Sequence, residues 1–421
     1  MALRRDIKAL YYIETALPLE KVADMMAGEQ SSGTFVRLPG ETDELREKHG
    51  AVVEDIEELV TVQEPSLPGA KKPKNPFTEY RRAYIKIAWP YDNIGSDVLA
   101  LMAAVAGNLY ELAPLSGIKL IDIEIPESFM ANYQGPGFGI NGTRELCGVK
   151  NRPIIGTIIK PSVGLTPEQT ANQVKILIEA GLDFIKDDEL MSDPPHSPFK
   201  KRIQAIMKVV NEYAENTGRK PMYAFNISGD IDDMFRRHDY VLQMGGTCVM
   251  MNINWVGISG LLALSRHTEL PIHGHRNFWG ALNRHPLLGM DFTVYQKLFS
   301  ICGIDHLHTN GIRNKFCESD ESVIRSIRTC LKPENGGYQV MPVISSGQWA
   351  EQAYDTYQAI QSLDLMYLCG GGITAHPGGM AAGVRSIRIA WEEAVQGRSV
   401  YDIQYKYPEI NQAIDFYGKD T

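Results

Sequence analysis

The sequence predicts an α/β chain, with a C-terminal (β/α)8 TIM barrel preceded by an α+β domain of ferredoxin-like type. Three observations predict this. From about Pro153 onward, short apolar runs alternate with amphipathic stretches through roughly eight units, the span of a typical (β/α)8 barrel. Those runs are mostly apolar or β-branched, which suits a parallel sheet covered on both faces. The residues before them have a different texture, so a domain boundary is placed between 145 and 146, giving domains 1–145 and 146–421.

In the first domain DIKALYYIET, AVVEDIEELV, RRAYIKIAWP and GIKLIDIEIP read as strands, and LEKVADMMAG and SDVLALMAAVAGN as helices. Two helices among four strands suggest the ferredoxin-like sandwich. VQEPSLPGAKKPKNP reads as a solvated loop, and QGPGFGINGT as the connection to the barrel. The barrel then unfolds in order. PIIGTIIKP leads to a helix opened by Thr166-Pro167-Glu168, DFIKDDE to PFKKRIQAIMKVVNEYAENTG, and PMYAFNIS to DIDDMFRRHDYVLQMG. CVMMNINW, LPIHGHR, DHLHTN, VMPVISSG and LMYLCGGG supply the remaining strands, each followed by its amphipathic stretch.

Composition narrows the function. The net charge of -9 offers no basic excess to displace counterions from a nucleic acid, although a local cluster can still hold a small anion. The six cysteines form no CxxC pair and read as reduced thiols of a cytoplasmic protein. No apolar run approaches the ~20 residues that span a bilayer, and the opening MALRRDIKALYYIETALPL lacks the apolar core of a signal peptide.

In this fold the active site lies at the carboxyl ends of the strands. Those ends carry Lys160, Lys186-Asp187-Asp188-Glu189, His273-Gly-His275-Arg276, His306-Leu-His308, Ser345-Ser346-Gly347 and Gly370-Gly371-Gly372. Strand alternation puts Lys186 and Asp188 on one face, and Glu189 lies where the strand gives way to loop. Two carboxylates favour a hard cation with oxygen ligands, Mg²⁺ first. Lys186 beside them has two readings: a plain ion pair, or a neutral amine that adds CO₂ and becomes a carbamate ligand. Gly347, Gly370 and Gly371 allow backbone N–H groups to approach a phosphate. Arg276 and His308 face that turn across the rim. They would hold a second anionic group there, unless Arg276 is spent on a barrel carboxylate.

GTIIKPSVGL, GLDFIKDDE, HGHR, DHLHTNG, PVISSG and CGGGITAHPGG, in this order, resemble ribulose-bisphosphate carboxylase/oxygenase large subunits and their RuBisCO-like relatives. GEQSSGTF, AGNLYEL and NYQGPGFGI extend the resemblance through the first domain. The resemblance implies that Lys186 is the carbamylated lysine, with Asp188 and Glu189 completing the Mg²⁺ site. It implies an acid/base role for Lys160 and a substrate-hydroxyl contact for His275. Arg276, His308 and Ser345 would bind one end of the substrate, and Thr34, Gly347, Gly370 and Gly371 a phosphate at the other. Glu29, Thr34 and Asn108 would reach the barrel of a second subunit, which implies a head-to-tail homodimer. Lys315 matches the lysine of the mobile loop in the carboxylases.

The departures are as informative. Ser162 stands where the carboxylases have a second lysine, Trp279 where they have a histidine, Asn314–Glu318 at the lid tip, and Ser346 in place of a glycine. CO₂ fixation on ribulose bisphosphate is therefore not expected. What is retained makes or stabilises an enediolate on a phosphorylated sugar-like substrate. The reaction that the resemblance to RuBisCO-like relatives implies first is decarboxylation of a branched β-keto sugar acid phosphate, 3-oxo-isoapionate 4-phosphate. Hydrolysis of a carbon–carbon bond in the same compound is the first alternative. An enolase or isomerase is the next, although methionine-salvage enolases resemble this site with a lysine where this chain has Asn108. A noncatalytic regulatory scaffold is the alternative of another class, and the complete Lys186/Asp188/Glu189 set argues against it.

Overall fold

The computed structural model describes residues 7–33, 38–70 and 79–418. It divides into two compact units: residues 1–134, 278–301 and 333–337, and residues 135–277, 302–332 and 338–421.

In the first unit β1 (Ile7–Thr15), β2 (Val52–Val62), β3 (Tyr80–Trp89) and β4 (Leu115–Glu124) form an antiparallel sheet. The spatial order 4-1-3-2 is that of the ferredoxin-like fold. Alternation drives it: Ile7, Ala9, Tyr11 and Ile13 are buried and line one face of β1. The helix Leu19–Glu29 covers that face with Leu19, Val22, Ala23, Met26 and Ala27, the spacing of an apolar helical stripe. A fifth strand, Leu288–Met290, pairs in parallel with β4 at the sheet edge. The segment around it is fixed by Lys119, whose Nζ donates to the carbonyls of Asn283 (2.9 Å) and His285 (3.1 Å). The helix after it, Phe292–Ile301, buries Lys297 Nζ against Asp122 Oδ1 and the Ile123 carbonyl, both at 2.6 Å. A stretch that reads in sequence as an ordinary barrel helix thus belongs to the first unit, because its one buried cation has its counter-charge there.

The second unit is the closed parallel barrel. Its strands are β5 (Ile154–Ile158), β6 (Phe184–Lys186), β7 (Met222–Asn226), β8 (Cys248–Asn252) and β9 (Ile272–His275). After the edge strand β10 (Leu288–Met290) come β11 (His306–His308), β12 (Met341–Ile344) and β13 (Met366–Leu368), and β13 pairs back onto β5. The lower interior is a dry layer that includes Ile154, Phe184, Met222, Ala224, Cys248, Met250, Met341, Val343, Met366 and Leu368. Gly156 belongs to this layer because a methyl there would meet the Phe184 carbonyl at 2.8 Å. The same inward parity, carried up each strand, reaches Lys160, Lys186, Asp188, Asn226, Asn252, His275, His308, Ser345 and Gly370. Packing below therefore fixes which residues face the rim. Thr166 caps the following helix in a capping box with Gln169, and Pro167 is in its first turn. Among the described residues no helix is long and apolar enough to cross a membrane.

Candidate active site

Lys186, the last residue of β6, is fully buried, and its Nζ donates to the Asp187 carbonyl at 2.8 Å. Glu189 Oε2 lies 3.7 Å away. Burial lowers the pKa of Lys186 against the opposing pull of Glu189 and Asp188. Asp188 is buried and accepts a hydrogen bond from Lys160 Nζ at 2.7 Å, while the same ammonium donates to Ser162 Oγ at 2.8 Å. Glu189 Oε2 is 3.4 Å from His275 Nε2. Lys160, Lys186, Asp188, Glu189 and His275 are thus gathered on one rim.

Asp187, of opposite parity, points outward. Its carboxylate accepts from Tyr223 Oη (2.7 Å), the Asn226 N–H (3.0 Å) and Arg202 Nη2 (3.3 Å). Asn226 Nδ2 donates to the Glu189 carbonyl at 3.1 Å, as does Asn252 Nδ2 at 2.9 Å. The two asparagine side chains hold the turn that presents Glu189. Sequence reasoning assigned them no role; their signal was parity, since Asn226 and Asn252 close their strands on the inward face.

The histidines form a directional chain. Thr143 Oγ donates to the Gly139 carbonyl (2.5 Å), so it accepts from His306 Nε2 (2.8 Å). His306 Nδ1 then accepts from His273 Nδ1 (3.3 Å), and His273 Nε2 from His308 Nε2 (2.9 Å). His308 Nδ1 is left to accept from Ser345 Oγ at 3.1 Å. Burial keeps every ring neutral: it pushes His306 down to about 3, and His273, His275 and His308 well below the ordinary histidine value. Ser345 therefore gives its proton to His308 and shows the rim only lone pairs. His275 directs Nε2 at Glu189, and among the described residues its buried Nδ1 has no hydrogen-bond partner.

Arg276 Nη2 donates to Glu318 Oε2 at 2.8 Å, so the barrel-carboxylate reading of this arginine is the observed one. Lys315 Nζ lies 5.3 Å above the Phe316 ring, and its backbone N–H donates to the Ser346 carbonyl. Ser346 sits at φ 76°, a left-handed conformation suited to the glycine that the resemblance leads one to expect there. Its Oγ, donating to Asn310 Oδ1 at 2.8 Å, helps to hold it. Gly347 (φ 89°) follows, 3.6 Å from the Lys315 side chain when a methyl is placed on it. Gly370 and Gly371 open a short helical turn, Gly371–Thr374, and Tyr417 Oη donates to the Gly371 carbonyl at 2.8 Å. A methyl on Gly371 would meet open space.

Glu29 and Asn108 lie in the first unit. Glu29 ends the helix Leu19–Glu29, and Asn108, exposed, opens the turn Asn108–Glu111. Gln30, in its hydrogen-bonding orientation, accepts from the Asn108 N–H at 2.8 Å and so brings the two segments together. Thr34 lies outside the described residues.

A second group of ligand-type side chains, His238, Asp239 and His267, sits on two outer helices of the barrel. Asp239 Oδ1 is 3.0 Å from His238 Nδ1 and 2.6 Å from His267 Nε2, and the Glu269 N–H donates to His238 Nε2. With Nε2 already accepting, His238 Nδ1 carries the proton. The group is a carboxylate bridging two rings, which holds the Asp239 carboxyl below its usual range.

A closed barrel with acid, amine and imidazole side chains on its carboxyl rim, preceded by a ferredoxin-like unit, defines a class of two-unit barrel enzymes. The chain belongs to the ribulose bisphosphate carboxylase large-chain family: residues 139–417 match its catalytic domain and residues 2–129 its N-terminal domain. It is 50% identical over 413 residues (98% of this chain, 99% of the relative) to a 3-oxo-isoapionate-4-phosphate transcarboxylase/hydrolase of Xanthobacter autotrophicus. It is 44% identical over 411 residues (97% and 98%) to a 3-oxo-isoapionate-4-phosphate decarboxylase of Rhizobium etli. The crystal structure of a rubisco-like protein from Burkholderia fungorum superimposes with a TM-score of 0.90 at 43% identity, covering 97% of this chain and 99% of that one.

Proposed function

We propose that this chain is a carbon–carbon lyase of the RuBisCO-like group that decarboxylates 3-oxo-isoapionate 4-phosphate through an enediolate. The observation that carries this is likeness to relatives named for that compound, joined to a rim on which Lys160 pairs with Asp188, and Glu189 lies beside both Lys186 and His275.

Asp188 and Glu189 fit a hard divalent cation such as Mg²⁺, because both are oxygen donors at one rim. Two carboxylates leave the donor set short. Lys186 fits the missing place, because its burial favours the neutral amine that adds CO₂ to give a carbamate. When bound, Mg²⁺ would take up negative charge that develops on the oxygens of the substrate.

The residues divide the remaining work. Backbone N–H groups of Gly347, Gly370 and Gly371 would bind the single phosphate, with Thr34 beside them. The lone pair on His275 Nδ1 accepts a substrate hydroxyl proton, and Glu189 orients the ring from the other side. Lys160 Nζ, aimed by Asp188 and Ser162, delivers the proton that quenches the carbon left by departing CO₂. The bond from the carboxyl carbon to its neighbour breaks, and its electron pair stays on the four-carbon fragment until Lys160 protonates it. Lys315 would close over the site, and Glu29, Thr34 and Asn108 would complete it from a second subunit of a homodimer.

A second reading, transcarboxylation and hydrolysis of the same compound, is favoured by the higher identity to the Xanthobacter relative, 50% against 44%. ¹³C NMR with carboxyl-labelled 3-oxo-isoapionate 4-phosphate, Mg²⁺ and bicarbonate separates the two. Labelled CO₂ with a four-carbon ketose phosphate supports the decarboxylase. Label retained in a smaller carboxylate supports the second reading, and an untouched substrate defeats both. Undiminished turnover by Lys160→Met would remove Lys160 from the scheme.

A further inference from the structure

The rim opposite the glycine turn holds a cation that is already spent. Arg276 and Glu318 pair at 2.8 Å with side chains only 5% and 7% exposed. The pair is built rather than incidental. Glu318 Oε2 also accepts from Asn310 Nδ2 at 2.7 Å, and Oε1 accepts from Ser322 Oγ at 2.9 Å. The carboxylate is thus held by three donors from three places in the chain.

Its neighbourhood points the same way. A phosphate needs donors. At this end Ser345 has committed its proton to His308, and His308 has committed its own to His273. Ser345 Oγ offers a lone pair, which suits a substrate hydroxyl and not a phosphate oxygen.

Resting on the reading that the site takes a sugar phosphate, we propose that Glu318 is a specificity-determining residue that closes this end of the site to phosphate. The site then accepts a substrate with one phosphate, seated at the glycine turn, and an uncharged, hydroxyl-bearing opposite end. A second phosphate would have to displace a triply bonded carboxylate from Arg276 and then lie beside it. Like-charge repulsion therefore adds to the lost hydrogen bonds, and rejection is built by repulsion as well as by fit.

The test is Glu318→Gln, which keeps the shape and removes the charge, with Glu318→Ser as a second variant. Both are checked for parental folding by circular dichroism and thermal unfolding. Binding of ribulose 1,5-bisphosphate and of ribulose 5-phosphate to the Mg²⁺-loaded full chain is measured by calorimetry at two ionic strengths. The parent is expected to bind the bisphosphate no better than the monophosphate. Releasing a buried guanidinium should shift that ratio toward the bisphosphate by roughly tenfold or more, most strongly at low salt. An unchanged ratio in a folded variant overturns the proposal. So does a parent that already prefers the bisphosphate tenfold, or failure of parent and variants to bind either probe. Turnover of 3-oxo-isoapionate 4-phosphate by the parent is assayed separately. A shifted ratio without that turnover sinks the proposed reaction and leaves Glu318 its role; turnover with an unshifted ratio does the reverse.

Discussion

Replacing Asp187 with Asn should cost the barrel about 3 kcal/mol, although the Asp187 carboxylate points away from the rim. The carboxylate balances Arg202, which is fully buried, and accepts in addition from Tyr223 Oη and the Asn226 N–H. Removing one partner of a buried pair costs about 3–5 kcal/mol, because the other charge is left uncompensated. The low end applies here because the Arg202 guanidinium keeps three carbonyls, of Ser197, Met191 and Ser192, at 2.7–2.9 Å. The new amide nitrogen also faces donors, at a cost of about 1 kcal/mol or more for each one left unsatisfied. Urea unfolding followed by circular dichroism measures the loss. With a denaturant slope of about 3 kcal/mol/M, a loss of about 3 kcal/mol moves the midpoint down by about 1 M. A midpoint within about 0.2 M of the parent would refute the argument. The paired replacement Asp187→Leu with Arg202→Met, which removes both charges, should recover part of the loss. If it is no better than Asp187→Asn, the cost does not come from the uncompensated arginine.

Other outcomes follow from the same geometry. Lys186→Ala should abolish any dependence of Mg²⁺ binding on bicarbonate, measured by calorimetry, and a variant that binds Mg²⁺ as the parent does would remove the carbamate. The folded pKa of His306, about 3, lies below the usual 6.5, so the unfolded chain binds a proton there that the folded chain does not. Stability from this residue is therefore complete above pH ~6.5 and falls as pH drops toward ~3, by up to about 1.4 kcal/mol per pH unit. Urea midpoints of His306→Asn between pH 7 and 4.5 should show a slope shallower by about one proton, and a parental slope would refute this. Gly371→Ala should fold like the parent, since its methyl meets open space, yet raise KM for the phosphorylated substrate; an unchanged KM would move the phosphate elsewhere. Gly156→Ala, by contrast, drives a methyl to 2.5 Å from Leu368 Cδ2 and should lower the thermal midpoint.

The sequence by itself determined the layout. Period-2 parity placed Lys186 and Asp188 on one face, and the run of roughly eight strand–helix units specified the barrel. Thr166 and Pro167 marked a helix start that the structure keeps, because a cap is made with residues a few positions away. These features depend on local chemistry, so they can be read along the chain. Tertiary structure alone decided the rest. It sent residues 278–301 to the edge of the first unit's sheet, where Lys297 meets Asp122. It spent Arg276 on Glu318 across 42 positions of sequence, fastened Tyr417 to Gly371, and oriented the histidine chain from Thr143 to Ser345. No periodicity encodes such pairs, since a buried charge or polar hydrogen takes whichever distant partner the closed barrel brings within about 3 Å, and leaving it unpartnered would cost more than any local preference supplies.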